Sequence, residues 1–508
     1  MLKQIRIIAA IGCFLLLTLL FLDFTGTAHH YFSWIARMQL LPAMLASNVL
    51  ILIVIGLLTL LFGRLYCSVI CPLGIWQDGI SNLSSRRKGK KNRFHYATSK
   101  SILRYSVLVI SIIALLVGIS VIVSLVDPYA SYGRIATHLF APIYRLGNNA
   151  LAFFSEKVAS YAFYNTDVWV KSVSSLILAV VTLGVVSFLA WRNGRIYCNA
   201  FCPVGTLLGV LSKFSLFRVA FDSNKCNGCK SCERACKSSC IDTKTRTIDY
   251  SRCVSCFNCV EKCKFGGMNY KLMTFKKDTT TVEENKVSEE INSQANSKAV
   301  IGRKEAISTL AALGIASTVK AQQLHVDGGL ADIEAKKVPE RKTQLAPPGA
   351  IGINNLKKHC TACQLCISSC PNQVLRPSNK LSTFMQPEMS FERGYCRPEC
   401  VTCSQVCPTS AINSISTADK TAISVGHAVW VSDNCVVNRD KVTCNNCEHH
   451  CPTGAISMVV RNQELGNSLK TPVVNKELCI GCGACENLCP ARPFSAIYVE
   501  GNIIHHTI

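Results

Sequence analysis

Cysteine recurs at ligand spacing along this chain, and that recurrence limits what the chain can fold into more than any other feature. Four segments follow C-x2-C-x2-C-x3-C: Cys226, Cys229, Cys232 and Cys236; Cys253, Cys256, Cys259 and Cys263; Cys360, Cys363, Cys366 and Cys370; and Cys479, Cys482, Cys485 and Cys489. Two variants stretch the first gap: Cys396, Cys400, Cys403 and Cys407, and Cys435, Cys444, Cys447 and Cys451. Together they account for 24 of the 30 cysteines. Three thiolates on one tight loop each reach a different iron of one cubane, while the fourth turns toward a neighbouring cluster, so the pattern predicts six [4Fe-4S] clusters.

Two other uses of cysteine fit less well. Zinc ribbons use separated C-x2-C pairs around one tetrahedral ion, not three cysteines on one short loop. Disulfides are disfavoured because cysteines this close in sequence pair poorly, and because the first cysteine-rich unit is expected on a reducing side. Pro371, Pro408, Pro452 and Pro490 directly follow a last cysteine, and Ala411-Ile412 and Ala455-Ile456 lead into apolar strands, as in ferredoxin halves. In the first unit the spacing pairs Cys226, Cys229 and Cys232 with Cys263, and Cys253, Cys256 and Cys259 with Cys236. There Lys237 and Lys264 stand where proline is expected, and Cys240 is a rival to Cys236.

Thirty cysteines in 508 residues are too sparse for a small disulfide-stapled scaffold. Hydrophobic residues at 49% and charged residues at 17% fit a membrane part averaged with soluble parts. The net charge of +23 omits whatever the cysteines bind. Six clusters with their thiolates, at roughly −2 each, would add roughly −12. A nucleic-acid partner is not expected, since no face interleaves basic residues with aromatics.

Four apolar runs, Ile7 to Leu22, Leu40 to Phe62, Tyr105 to Val126 and Val173 to Trp191, approach the length of a bilayer-crossing helix. None has a charge in its interior, which disfavours a transporter or pump, and none has a histidine to hold a haem. Arg86, Arg87, Lys88, Lys90, Lys91 and Arg93 follow the second run, whereas only Arg37 separates the first two. The basic loop and the amino terminus, with Lys3 and Arg6, should therefore face the cytoplasm.

The chain also repeats itself. Gly63-Arg64-Leu65-Tyr66-Cys67 through Cys71-Pro72-Leu73-Gly74 returns 131 residues later as Gly194-Arg195-Ile196-Tyr197-Cys198 through Cys202-Pro203-Val204-Gly205. Read as two parallel two-helix repeats, the membrane part should bring these CxxxCP motifs together at the cytoplasmic face. On a helical turn Cys67 with Cys71, and Cys198 with Cys202, would each present two thiolates. They point to a seventh iron-sulfur or other redox centre, with a reversible dithiol or plain packing as alternatives. Cys13 reads as a packing residue.

The expected fold is multidomain: a four-helix transmembrane module over 1–219 plus α+β bacterial-ferredoxin-like domains. A two-cluster ferredoxin domain spans 220–273, a flexible linker 274–300, a signal-like apolar segment 301–322, a second linker 323–349, and a four-cluster ferredoxin domain 350–508.

On these motifs the amino-terminal half resembles the NapH-like membrane ferredoxin of the quinol-oxidising module that serves periplasmic nitrate reductase. The carboxy-terminal part, with Pro347-Pro348-Gly349-Ala350 and the long gap from Cys435 to Cys444, resembles its NapG-like four-cluster partner. The resemblance implies that the first carboxy-terminal cysteine set pairs with the fourth and the second with the third. It also implies export after cluster insertion on a twin-arginine signal, whose matching position here reads Gly302-Arg303-Lys304-Glu305-Ala306, with lysine for one arginine and no Phe; Val319-Lys320-Ala321 is a candidate cleavage site that would release the last domain. The alternative is a short interfacial helix in a wholly cytoplasmic protein.

The functional expectation is a membrane-bound iron-sulfur protein relaying single electrons from membrane quinol to a separate terminal reductase. It would sit in a bacterial inner membrane, with 220–273 cytoplasmic and 350–508 extracytoplasmic. His29, His30 and His138 are candidate proton acceptors in outer loops, although exposed side chains with no task are the commoner case. No catalytic residue is assigned. A redox sensor, or an assembly factor for another metalloenzyme, is the rival reading. No haem-attachment or dinucleotide motif is present, so terminal chemistry should lie in a partner.

Overall fold

The computed structural model describes residues 2–87, 94–160, 162–222, 224–272, 334–460 and 469–508, with the backbone of 326–327 and 331–332. The basic loop from Lys88 to Arg93, the linker 274–300 and the signal-like segment 301–322 lie outside the described residues. Residues 273–334 form a separate small unit, in which Val326–Asp327 pairs with Ala331–Asp332.

Two of the four apolar runs form unbroken helices of 21 residues, Leu2–Leu22 and Val173–Asn193, long and apolar enough to cross a membrane. At about 1.5 Å per residue each is about 31 Å long, close to the hydrocarbon thickness of a bilayer. The expectation of four uninterrupted spans is corrected for the other two. The second run divides into Leu40–Leu45 and Val49–Phe62, because Ser47 adopts a left-handed backbone and the Asn48 side chain caps the Ile51 amide. The third divides into Ser101–Val117 and Ser120–Val126 at Gly118, which is left-handed at φ 81°. Between the third and fourth runs, a stretch not expected to be helical forms Pro128–Ile135, a π-helical turn Ala136–Phe140 and Ala141–Lys157. Asp127 caps the first of these by accepting the Ala130 amide.

The first ferredoxin unit is closed by an antiparallel ribbon of Phe217–Phe221 with Met268–Leu272. The carboxy-terminal unit is closed by Ile423–Trp430 with Ile497–Thr507, so that the chain's last strand returns to its middle. Residues 335–349, expected to be linker, belong to this unit. The Lys337 amide donates to Pro493 O, Arg341 pairs with Glu486, and Leu345 and Ala346 are fully buried.

The two ferredoxin units dock at opposite ends of the long helices. At one end Lys3 pairs with Glu261, the Leu216 amide meets Leu60 O, Arg104 bonds to Ser251, and the Arg195 amide meets Lys237 O. At the other, Ser120 donates to Lys357 O, Lys171 to Ile367 O, and Gln364 to Ser175 Oγ. Both unbroken helices therefore start against one unit and end against the other.

Candidate iron-sulfur sites and a cysteine quartet

Each regular cysteine loop carries the same backbone signature. The residue before the second cysteine (Gly228, Ser255, Ala362, Gly481) and the residue after it (Lys230, Phe257, Gln364, Gly483) all have positive φ. Five of these eight are not glycine, a conformation that costs on the order of 1 kcal/mol or more per residue. The curl turns backbone amides inward: Ala362 N lies 3.4 Å from Cys360 Sγ, and the Leu365, Ser255, Asn258, Gly481 and Ala484 amides likewise reach Cys363, Cys253, Cys256, Cys479 and Cys482. A nest of amides around converging sulfurs suits an anionic cluster.

These loops line small hollows. Cys226, Cys229, Cys232 and Cys263 surround one, and Cys253, Cys256 and Cys259 another. The second hollow receives both Cys236 and Cys240, whose sulfurs lie 3.5 Å apart. Cys435, Cys444, Cys447 and Cys489 line a third, and Cys451, Cys479, Cys482 and Cys485 a fourth. Among the described residues no three His, Cys, Asp or Glu side chains converge on a point that could hold one metal ion. Zinc takes its sulfurs at about 2.3 Å around one centre, whereas three cysteines on one short loop suit the separate irons of a multi-atom cluster.

The carboxy-terminal pairing corrects the expectation drawn from resemblance. The third set pairs with the fourth, as the two hollows just described require. The first pairs with the second. Burial raises the Cys366 thiol, and Cys360, Cys363, Cys407 and Cys403 raise it further. Burial likewise raises Cys403, with Cys396, Cys370 and Cys400 beside it. The physical reason is local closure. A hairpin of Leu375–Pro377 with Pro387–Met389 lies between the first two sets, and one of Ile456–Val460 with Lys470–Val474 between the last two. Folding adjacent sets together closes a shorter loop than joining first to fourth. The Cys396 amide bonds to Cys482 O, so the two pairs adjoin.

The CxxxCP motifs do come together. Cys67, Cys71, Cys198 and Cys202 are all buried in one core with Ile135, Val186, Val254 and Cys256. They are not, however, helical i and i+4 pairs. The short helices Tyr66–Val69 and Ile196–Ala200 end before the second cysteine, and Cys202, extended at φ −80° and ψ 117°, caps the Pro203–Ser212 helix. Proline disfavours a helical residue before it, so Pro72 and Pro203 break each motif at its second cysteine. Its sulfur then accepts the first-turn amide: Gly205 N lies 3.2 Å from Cys202 Sγ.

This quartet lies between the two ferredoxin units. Tyr66 Oη donates to Gln39 Oε1 and accepts the Leu40 amide, where the second run begins, and Tyr197 Oη donates to Val126 O, where the third run ends. Arg64 and the Arg195 amide reach Ser251 O and Lys237 O of the first unit. The Pro128–Ile135 helix completes the connection. Its Tyr129 and Tyr132 share a core with Cys360, Cys363 and Cys366, while its Ile135 belongs to the quartet's core. At Gly133 an added Cβ would stand 2.3 Å from Cys363 O, so only glycine permits this approach.

Of the three histidines expected in outer loops, only His30 is exposed. His29 Nε2 bonds to Ser369 Oγ and His138 Nε2 to Gln364 Oε1, each at 2.8 Å. Burial, with Lys171 and Arg134 adding to it against the Gln364 bond, pushes His138 down to about 4. His29 and His138 thus dock the carboxy-terminal unit, and His138 is a poor proton acceptor. The sequence reading also missed that Arg64, Arg134 and Arg195 rank among the largest fully buried side chains. Two of them stood in the quoted repeat, which was the available signal.

Two iron-sulfur domain families match parts of the chain. The 4Fe-4S binding domain family matches residues 44–91 and 174–221, and the 4Fe-4S dicluster domain family matches 442–492. The chain carries iron-sulfur binding domains of ferredoxin type. It is homologous to methylamine utilization ferredoxin-type protein MauM of Methylobacillus flagellatus, 32% identical over 29% of this chain and 64% of that protein. It is also homologous to the Escherichia coli ferredoxin-type proteins NapG, 29% identical over 39% of this chain and 84% of NapG, and NapF, 29% identical over 31% and 87%. The chain thus spans just under two thirds of the length of the MauM relative. No solved structure matches it.

Proposed function

We propose that the chain is a membrane-bound electron conduit that draws electrons from membrane quinol and delivers them to a separate terminal reductase. The single observation carrying this reading is the succession of buried cysteine sites packed against the helical module. It runs from Cys256 of the first unit, through the quartet, to Cys363 of the carboxy-terminal unit by way of Pro128–Ile135. Each match to the 4Fe-4S binding domain family contains only two cysteines, Cys67 with Cys71 and Cys198 with Cys202. A cluster there needs both repeats, and the quartet supplies four thiolates in one buried core. It would hold the seventh centre, beside six clusters held by the 24 loop cysteines. When bound, these clusters take up and release single electrons; the chain buries them, spaces them and sets the charge around them.

In this reading the module resembles NapH-like membrane ferredoxins and lies in a bacterial inner membrane, with residues 220–273 cytoplasmic and 350–508 extracytoplasmic. Two unbroken apolar helices with a ferredoxin unit at each end support that placement. Reporters fused after Val319 and after Ile508 test it. A reporter active only outside the cytoplasm at Ile508 is expected; a cytoplasmic signal there would overturn trans-membrane delivery.

A further inference from the structure

The two Gly-Arg-x-Tyr-Cys segments form a crossed pair around the quartet. Arg195 Nη1 donates to Cys67 O at 2.6 Å, and Arg64 Nη2 donates to Cys198 O at 3.3 Å, each arm reaching the first cysteine of the opposite repeat. Gly74 and Gly205 make room for both. A Cβ added at Gly74 would stand 2.4 Å from Cys67 O and 3.0 Å from Arg195 Nη1, and one at Gly205 would stand 2.3 Å from Cys198 O and 2.8 Å from Arg64 Nη2.

The symmetry stops at charge. Arg195 is matched by Asp78, whose carboxylate lies 2.9 Å from Arg195 Nε and also takes Arg6 at 2.9 Å and Lys237 at 3.5 Å. Arg64, equally buried, forms no ion pair among the described residues. Its acceptors are the neutral oxygens Asn199 Oδ1 at 2.9 Å, Ser251 O at 3.0 Å and Cys198 O, and beyond them Cys67 Sγ at 3.9 Å. The position that matches Asp78 in the second repeat is Gly209, so no second acid completes the pattern. Three buried cations, Arg6, Arg195 and Lys237, share the Asp78 carboxylate, whereas Arg64 meets Ser251 O beside a further buried cation, Arg104. A buried guanidinium without a counter-charge is costly, and the nearest group able to supply one is the thiolate centre itself.

We propose that Arg64 is the charge-setting residue of the quartet: its uncancelled positive charge stabilises the reduced form of the centre and so raises its reduction potential. This rests on reading the quartet as a redox centre. One electron enters, no bond breaks and no proton moves, so the reduced centre is one charge more negative and gains most from a nearby cation.

The test is a redox titration of the anaerobically purified full-length protein, followed by paramagnetic resonance. The quartet signal is the one absent from Cys202→Ser. Asn199→Asp places a carboxylate of nearly the same shape against Arg64 without removing the arginine, and Arg64→Gln removes the charge. Both should lower the reduced-to-oxidised ratio at fixed potential tenfold or more, a fall of about 59 mV for one electron. Arg64→Lys should restore most of it. A signal present but unmoved in both Asn199→Asp and Arg64→Gln overturns the assignment to Arg64 alone. If Cys202→Ser removes no signal, the quartet reading fails with it.

Discussion

The ferredoxin loops and the quartet solve the same problem, holding anionic sulfur in a buried place, by opposite means. In the loops the compensation is local: left-handed residues around the second cysteine curl amides onto sulfurs within the same short segment. In the quartet a local amide still meets Cys202 Sγ, but long-range contacts are added: arginines cross from the opposite repeat, 131 residues away, to the backbone carbonyls of Cys67 and Cys198. The contrast predicts that the backbone nests rely on the metal to offset their strain, whereas the quartet sits in a core of packed helices.

The sharpest way to break this comparison is to remove one sulfur from each kind of site. Cys485→Ser should lose about four iron atoms and loosen its local fold, because there the metal is part of the fold. Cys202→Ser should also lose about four iron atoms but keep the helical module resistant to proteolysis. If iron analysis and limited proteolysis show the module falling apart as well, the contrast is wrong.

A smaller effect concerns how the two regions stay joined. His138 sits near 4 when folded, below the ordinary histidine value of 6.5. As pH falls from 6.5 to 4 the unfolded chain takes up a proton that the folded chain refuses, so the stability present above 6.5 is lost over that window. The loss is at most about 3 kcal/mol. Thermal unfolding followed across this range should be flatter for His138→Asn than for the parent, and equal slopes would refute the docking role.

The smallest expected effect sharpens the ligand set. Cys236 and Cys263 end their short helices with nearly the same backbone, φ −81° with ψ 102° and φ −81° with ψ 100°. Cys240 has no counterpart in the second half. Cys240→Ser should therefore leave iron content and cluster spectra almost unchanged, while Cys236→Ser loses a cluster. The reverse outcome would make Cys240 the ligand.

How much could be read in advance follows the same division. The regular loops were legible because their ligands lie within a few residues and a short segment decides its own torsions. The grouping of Cys226, Cys229 and Cys232 followed from spacing for that reason, and the repeat of the same spacing in the next loop supplied Cys263. The carboxy-terminal pairing did not, because the hairpins between adjacent sets decide it. The apolar runs were visible, but the breaks at Asn48 and Gly118 hid inside them as single residues in otherwise apolar stretches. His138 read as a loop residue because nothing near it in sequence announces Gln364, 226 residues away.

The sequence by itself determined the inventory: which sulfurs are available, which short loops curl around them, and that two repeats each contribute a pair. Only the tertiary structure decided which carboxy-terminal loops share a hollow, that the second cysteine of each repeat lies outside the helical turn, and that Arg64 meets no carboxylate among the described residues. Torsions within a loop are local properties of a few residues. Burial and charge balance are sums over everything that packs nearby, and that set of neighbours exists only once the chain has folded.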